Sequence, residues 1–377
     1  MAKVSKERID YAQKRRKDFN DFLDSESDLI ITSHMGKNRD DWGDVFFPAA
    51  QLGKPPIDLR KEKVDLSLEF GGRYSEGFRV NLPVIIPGIS YGAFSDSSKI
   101  AVHKALNTLA EKHKIIMLYN TGEGGVLEHE LYDRKYKLIV QIASGRFNVN
   151  IDSLILSDGI EIKIGQGAKP GMGGYLPAFK VNEKISKVRR IPIYTDAYSP
   201  ARNIDIVGPE DLFAFIQMLR VATKGKIPIG VKIAAGDTYR DSIIAARVSD
   251  FITIDGMSAG TGAAPALAQD FFGIPTMPAI VEARKGINEV LTRLYKNLRR
   301  IDKTVDIEDV TMIASGGVFF PNEIFTCLSL GADMVGLGTA TEYALDCTGC
   351  YSCDTGKCPE NITGNDRRTR ERGFMDT

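Results

Sequence analysis

The chain of 377 residues carries 49 Lys plus Arg against 49 Asp plus Glu, so it lacks the basic excess of a nucleic-acid-binding protein. Hydrophobic residues make up 43%, enough for a sizeable core, which excludes wholesale disorder. No apolar run approaches the roughly 20 residues that span a bilayer, and Met1–Lys6 has no apolar stretch behind its charges, so neither a membrane contact nor a signal peptide is expected and the expected location is the cytoplasm.

Residues 1–80 are charged and mixed, and are expected to form an N-terminal helical extension packed on the body. Within it, Lys6–Asp24 reads as an amphipathic helix with Ile9, Phe19 and Phe22 on its sparse apolar face, and Trp42 is the single tryptophan. From residue 83 short apolar, β-branched runs alternate with helical spans. The runs are Pro83–Pro87, Ile115–Tyr119, Leu138–Ala143, Ile160–Ile164, Ile227–Ile233, Phe251–Ile254, Thr311–Ala314 and Asp333–Leu337. Strands this uniformly apolar are buried on both faces, as in a parallel sheet. Eight such units over residues 81–345 predict an α/β fold, a (β/α)8 TIM barrel. A doubly wound open sheet is the rival, weakened by the lack of G-x-G-x-x-G after the first strand. The stretch from Gly165 to about Asp211 is long enough to act as a lid. Residues 346–377 form a separate cysteine-bearing segment and tail.

Barrel chemistry sits where strands end. Ser315-Gly316-Gly317 and Gly336-Leu337-Gly338-Thr339 end the seventh and eighth strands, the usual place for a phosphate, although such glycines also serve plain tight turns. Lys232, near the end of the fifth strand, suits either a structural ion pair or the electron-rich ring of a reduced flavin, and Gln141 on the third strand can hydrogen-bond a ring edge. Lys163, Gln166 and Lys169 follow the fourth strand and suit a dicarboxylate or oxo acid. Glu123, flanked by glycines in Gly122–Gly125, can project a carboxylate into a site.

Cys347, Cys350, Cys353 and Cys358 fall within twelve positions as C-x2-C-x2-C-x4-C-P. The run resembles the ferredoxin pattern with one extra spacer and reads as an iron–sulfur site. Zinc, which prefers two separated knuckles or histidines, and disulfides remain the alternatives. Cys327, in an apolar stretch, belongs in the core. No Ser/His/Asp or H-E-x-x-H arrangement appears, the four histidines (34, 103, 113 and 129) all preceding residue 130. The charged tail Arg367–Arg372 is either a solvated end or a docking strip for an acidic electron carrier.

Taken together, GISYGAFS (Gly88–Ser95), NTGEGG (Asn120–Gly125), QIASGRFNV (Gln141–Val149), KIGQGAKPGMGG (Lys163–Gly174), GTGAAP (Gly260–Pro265), Ser315–Gly317, Gly338–Ala340 and the cysteine run resemble the FMN-binding synthase domain of glutamate synthase over roughly residues 83–360. The resemblance implies FMN on a TIM barrel beside an iron–sulfur cluster, and reductive amination of 2-oxoglutarate through 2-iminoglutarate. By the same resemblance the flavin residues fall on Ser90, Gln141, Lys232, Ser315, Gly316, Gly317, Gly338 and Thr339, and the catalytic oxo-acid site on Glu123, Lys163 and Lys169. The family's x5, x4 cysteine spacing falls on Cys347, Cys353 and Cys358 and implies 3Fe-4S, while Cys350 leaves 4Fe-4S open.

Where the family reads K-P-G-E-G-G-Q-L-P-G, this chain has Met172 for the glutamate and Tyr175 for the glutamine. Together with Asn203–Leu212 and Ile254–Gly262, these departures resemble a side branch that includes N-methylglutamate synthase subunits. The glutaminase domain of the family needs an N-terminal cysteine nucleophile, and no cysteine precedes Cys327. Ammonia or an amine is therefore expected from solution or from a separate glutaminase subunit. A ferredoxin or reductase subunit is expected as electron donor, and an oligomer as the assembly. The alternatives are a transferase exchanging nitrogen between glutamate and methylamine, and a non-catalytic barrel kept for assembly.

Overall fold

The computed structural model describes residues 6–23, 42, 45–48, 50–147, 149–260, 262–301 and 309–363. His34 and the basic tail Arg367–Arg372 lie outside the described residues. The strands, in chain order, are β1 (Leu68–Phe70), β2 (Phe78–Val80), β3 (Val84–Ile86), β4 (Leu118–Asn120), β5 (Lys137–Ile142), β6 (Gly159–Lys163), β7 (Tyr175–Leu176), β8 (Ala197–Tyr198), β9 (Ile229–Ala234), β10 (Phe251–Asp255), β11 (Thr311–Ser315) and β12 (Met334–Gly336). Strands β3, β4, β5, β6, β9, β10, β11 and β12 close a barrel, every neighbouring pair parallel. Each contains or overlaps one of the eight apolar runs expected to form it. Register is direct: Phe251 pairs with Thr311 on one side and Gly230 on the other.

The α-helices are α1 (Lys6–Leu23), α2 (Asp96–Thr108), α3 (Glu128–Tyr132), α4 (Ile151–Ile155), α5 (Glu183–Arg189), α6 (Pro209–Ala222), α7 (Thr238–Ala246), α8 (Ala266–Phe271), α9 (Thr276–Ile301), α10 (Pro321–Leu330) and α11 (Gly338–Ala344). Local chemistry sets several ends. The Ser95 hydroxyl accepts from Ser98 N–H to start α2, and the Asn182 side chain does the same for Ile185 N–H at α5. Proline at the first turn opens α6 and α10, where its missing N–H costs nothing, and Gly331 at φ +116° ends α10.

Ile160, Ile162, Ile229, Ile252 and Ile254 are fully buried and belong to the core between the strands and the helical layer, which Cys327 joins as expected. A second cluster closes the N-terminal end of the barrel. There the β1–β2 hairpin brings Phe70 to 4.8 Å from Phe251, beside Ile85, Leu118, Ile139, Ile313 and Met334. The sequence reading expected only helix before residue 80; the hairpin strands are three residues each, too short for their alternation to register. The stretch after Gly165 is also more built than a plain loop. It carries β7, β8 and α5, and packs Leu176, Val181, Ile185 and Ala197 around Tyr91 in a small core of its own.

Candidate active site

One cavity opens at the C-terminal end of the barrel, and residues that end or follow all eight strands line it. Ser90 comes after β3, Glu123 after β4, Gln141 from β5, Lys163 and Lys169 from the end of β6 and its loop, and Lys232 from β9. Asp255 ends β10, Ser315, Gly316 and Gly317 end β11, and Gly338 and Thr339 follow β12. Every residue singled out in the sequence for substrate or flavin therefore faces one space, and Cys353 reaches it too.

One end of the cavity is built around Glu123. Lys163 Nζ lies 3.5 Å from its Oε2, and the Ser199 hydroxyl donates to its Oε1. Burial alone would raise this carboxyl, but Lys163, the Ser199 hydroxyl and Arg189 outweigh it and hold it below the ordinary carboxylate range. Lys169 is pushed down to about 8, first by burial and then by the like charge of Lys163, with Glu123 opposing. Arg189, at the end of α5, is buried beneath the lid, donates from Nη2 to the Tyr91 carbonyl at 2.7 Å and lies 4.9 Å over the Phe147 ring. Arg189 and Ser199 were not singled out in the sequence, since neither sits in a motif.

The barrel interior beneath holds a polar network. Glu161 on β6 accepts from Asn120 and Gln141, each at 2.8 Å, and from Thr253 at 2.6 Å. Lys232 Nζ sits 3.1 Å from Asp255 Oδ1, and Asp255 Oδ2 accepts from the Gly167 N–H at 2.9 Å. Burial works against the Lys232 ammonium, but Asp255 and Glu161 outweigh it and raise it above the ordinary lysine value. Lys232 is thus ion-paired, as one of its two readings expected, and it also lines the cavity.

At the opposite end lies the glycine cradle. Among the described residues, no acceptor takes the backbone N–H of Gly317, Val318, Gly338 or Thr339. Gly316 has φ +128°, and a Cβ there would lie 2.7 Å from Thr276 Oγ1 and 2.9 Å from Ala259 N, so only glycine fits. Free N–H groups and a helix start at α11 suit a phosphate, so the cradle fits the FMN that the sequence implies.

The four cysteines follow α11 in one loop. Cys347 is pushed up to about 12, and Cys353 rises too, in each case first by burial, then by Glu342 and neighbouring thiols. Cys350 falls below the ordinary thiol value; burial opposes, but hydrogen bonds from Thr348 and Ser352 prevail. Glu342 lines the cavity, and burial pushes its carboxyl up to about 7. Among the described residues, no group of three or more His, Cys, Asp or Glu side chains is gathered so as to hold a metal ion. Four thiols in one loop supply soft donor chemistry of the kind that iron–sulfur clusters use.

Among the described residues no histidine lines this cavity, and His103 and His129 stack edge-to-face at 4.6 Å beside Tyr136. Among the described residues, no helix is long and apolar enough to cross a membrane.

The family model described as "Conserved region in glutamate synthase" matches residues 57–376. The chain is 35% identical over 373 residues to an archaeal-type glutamate synthase [NADPH] of Dehalococcoides mccartyi, covering 93% of this chain and 70% of that protein. It is 37% identical over 323 residues to an archaeal glutamate synthase [NADPH] of Methanocaldococcus jannaschii, covering 82% of this chain and 59% of that one. Among solved structures, a putative lactate oxidase of Pediococcus acidilactici aligns at TM-score 0.48 and 16% identity, over 94% of this chain and 87% of that one.

Proposed function

Because the chain belongs to the glutamate synthase family, whose activity is that of an oxidoreductase, we propose that it reductively aminates 2-oxoglutarate or a close relative, with FMN and an iron–sulfur cluster. One observation carries this reading: Lys163, Lys169 and Arg189 gather around Glu123 in the same cavity that holds the glycine cradle and Cys353. FMN would lie against Ser90, Gln141, Lys232, Ser315, Gly316, Gly317, Gly338 and Thr339, and would supply the hydride, with electrons relayed by a cluster on Cys347, Cys353 and Cys358 and with Cys350 as an available fourth ligand.

The chain's own groups supply position and charge. Lys163, Lys169 and Arg189 neutralise the carboxylates of the acid and fix where its oxo carbon sits. Glu123, held ionised by Lys163, Ser199 and Arg189, attracts an ammonium ion and orients its nitrogen toward that carbon, and the proton that the nitrogen must lose before it attacks passes to solvent. Lys232 holds positive charge where electron density accumulates during the reaction. The lid formed by β7, β8 and α5 keeps water from the reacting carbon. Ammonia comes from solution or from a separate glutaminase subunit, and electrons from a ferredoxin or reductase subunit.

The test is anaerobic purification followed by flavin, iron and sulfide determination. Expected are released FMN, a broad iron–sulfur shoulder and about three or four iron atoms per chain. Reductant should then be consumed only when both an oxo acid and ammonium are present. A chain with neither flavin nor iron after reconstitution would sink the proposal.

Tyr175 favours a second reading. It lines the cavity, stacks on Tyr198 at 4.8 Å and donates to Asp196 at 3.3 Å, so the wall there is aromatic. Such a wall suits a substituted amine, as in a transferase joining methylamine and glutamate. Formation of N-methylglutamate without any reductant would select that reading.

A further inference from the structure

We propose that the N-terminal helix α1 is part of the cofactor site, with Arg15 as the positioning residue that sets the glycine loop after β11 to receive the flavin phosphate. The inference rests on the FMN reading above. Arg15 is only 7% exposed, unusual for an arginine near a chain end. Its Nη2 donates to Glu323 Oε1 at 2.7 Å and to the Gly317 carbonyl at 3.5 Å. Its guanidinium also lies 4.5 Å over the Phe319 ring and 4.9 Å over that of Phe320. Glu323 in turn accepts from the N–H groups of Phe319 and Phe320 at 2.7 and 3.2 Å. One guanidinium and one carboxylate thus hold both ends of the turn from 317 to 320.

Peptide planarity carries the effect into the cavity. The carbonyl of Gly317 and the N–H of Val318 share one plane and point in opposite directions. With the carbonyl held toward α1, the N–H is turned toward the space that Gly317 and Val318 line. That N–H is one of the unclaimed donors of the cradle. The same helix grips the other half of the cradle. Tyr343 of α11 donates to the Ala12 carbonyl at 2.9 Å, and Phe19 packs on Phe319, Phe320 and Tyr343. It also meets the cysteine loop: Gly349 has φ +63°, and a Cβ there would lie 3.3 Å from that of Ala12. The contacts of this helix named here fall on the loop after β11, on α10 and α11 that follow the two cradle strands, and on the cysteine loop.

The experiment titrates the full-length chain, stripped of flavin, with FMN and with riboflavin, which lacks the phosphate. Wild type is compared with Arg15→Met and with Arg15→Met/Glu323→Gln; the second change neutralises the carboxylate left unpaired while keeping an acceptor for Phe319 and Phe320. The readout is the ratio of FMN to riboflavin affinity, which a general loss of stability does not move. We expect that ratio to fall about tenfold in both variants, with riboflavin affinity unchanged. An unchanged ratio in either variant would overturn the role of Arg15. A wild type with no preference for FMN over riboflavin would instead remove the phosphate reading itself, and this inference with it.

Discussion

Lys169 is the residue whose environment makes the sharpest prediction. Burial and Lys163 bring it down to about 8 from the model-peptide value of 10.5. An acid substrate needs its charged form, so binding weakens as pH rises through about 8, and KM for the oxo acid should climb about tenfold per unit beyond it. Stability follows the opposite sign. The folded state releases this proton more readily than the unfolded chain, so the contribution of Lys169 to stability rises with pH between about 8 and 10.5. Lys169→Ala should remove a charge-assisted contact, raise KM about 10- to 100-fold and lower turnover while flavin stays bound. A pH profile of KM for both forms, with flavin content as control, checks this; an unchanged profile in the variant would reassign the residue. Glu123, Lys163 and Lys169 were legible in sequence because glycine-rich loops announce them. Arg189 and Ser199 were not, because the lid's own packing around Tyr91 delivers them to Glu123.

At the scale of elements, periodicity served the long features and failed the short ones. The eight barrel strands are apolar because both their faces are buried, and that makes them visible. The three-residue hairpin strands β1 and β2, and the two-residue strands of the lid ribbon, give no such pattern. The cysteine loop was readable in sequence as a candidate ligand run, and its spacing left the role of the fourth cysteine open. Hydrogen bonds from Thr348 and Ser352 hold the Cys350 thiol low, whereas burial and Glu342 raise Cys347 and Cys353, although all of these thiols are half-buried and Cys350 acts on both. Cys350→Ser should therefore leave iron at about three per chain, with the absorbance shoulder retained. Loss of iron in that variant would make Cys350 a ligand and the cluster a 4Fe-4S type. Either result bears only on the loop, since α11 and the barrel do not depend on the Cys350 side chain for packing.

At the scale of the whole molecule, the C-terminal mouth of the barrel combines polar groups that water would otherwise have to satisfy. The glycine cradle, the Lys232–Asp255 pair and the Glu123 cluster come from the ends of different strands, and the closed ring brings those strand ends to one mouth. A ligand spanning the cavity must therefore stabilise the folded barrel as a unit, because the unfolded chain offers it no site. At one hundred times its dissociation constant such a ligand contributes about 2.7 kcal/mol. For a chain of this size that corresponds to a rise in Tm of roughly 3 °C. FMN added to flavin-stripped protein should produce this rise, and riboflavin at the same concentration a smaller one, since it leaves the N–H groups of Gly317, Val318, Gly338 and Thr339 unfilled. Differential scanning fluorimetry across a concentration series reads both. If FMN quenches on binding yet Tm stays fixed, the flavin is held away from the ring of strand ends, and the cradle after β11 and β12 is not its phosphate site.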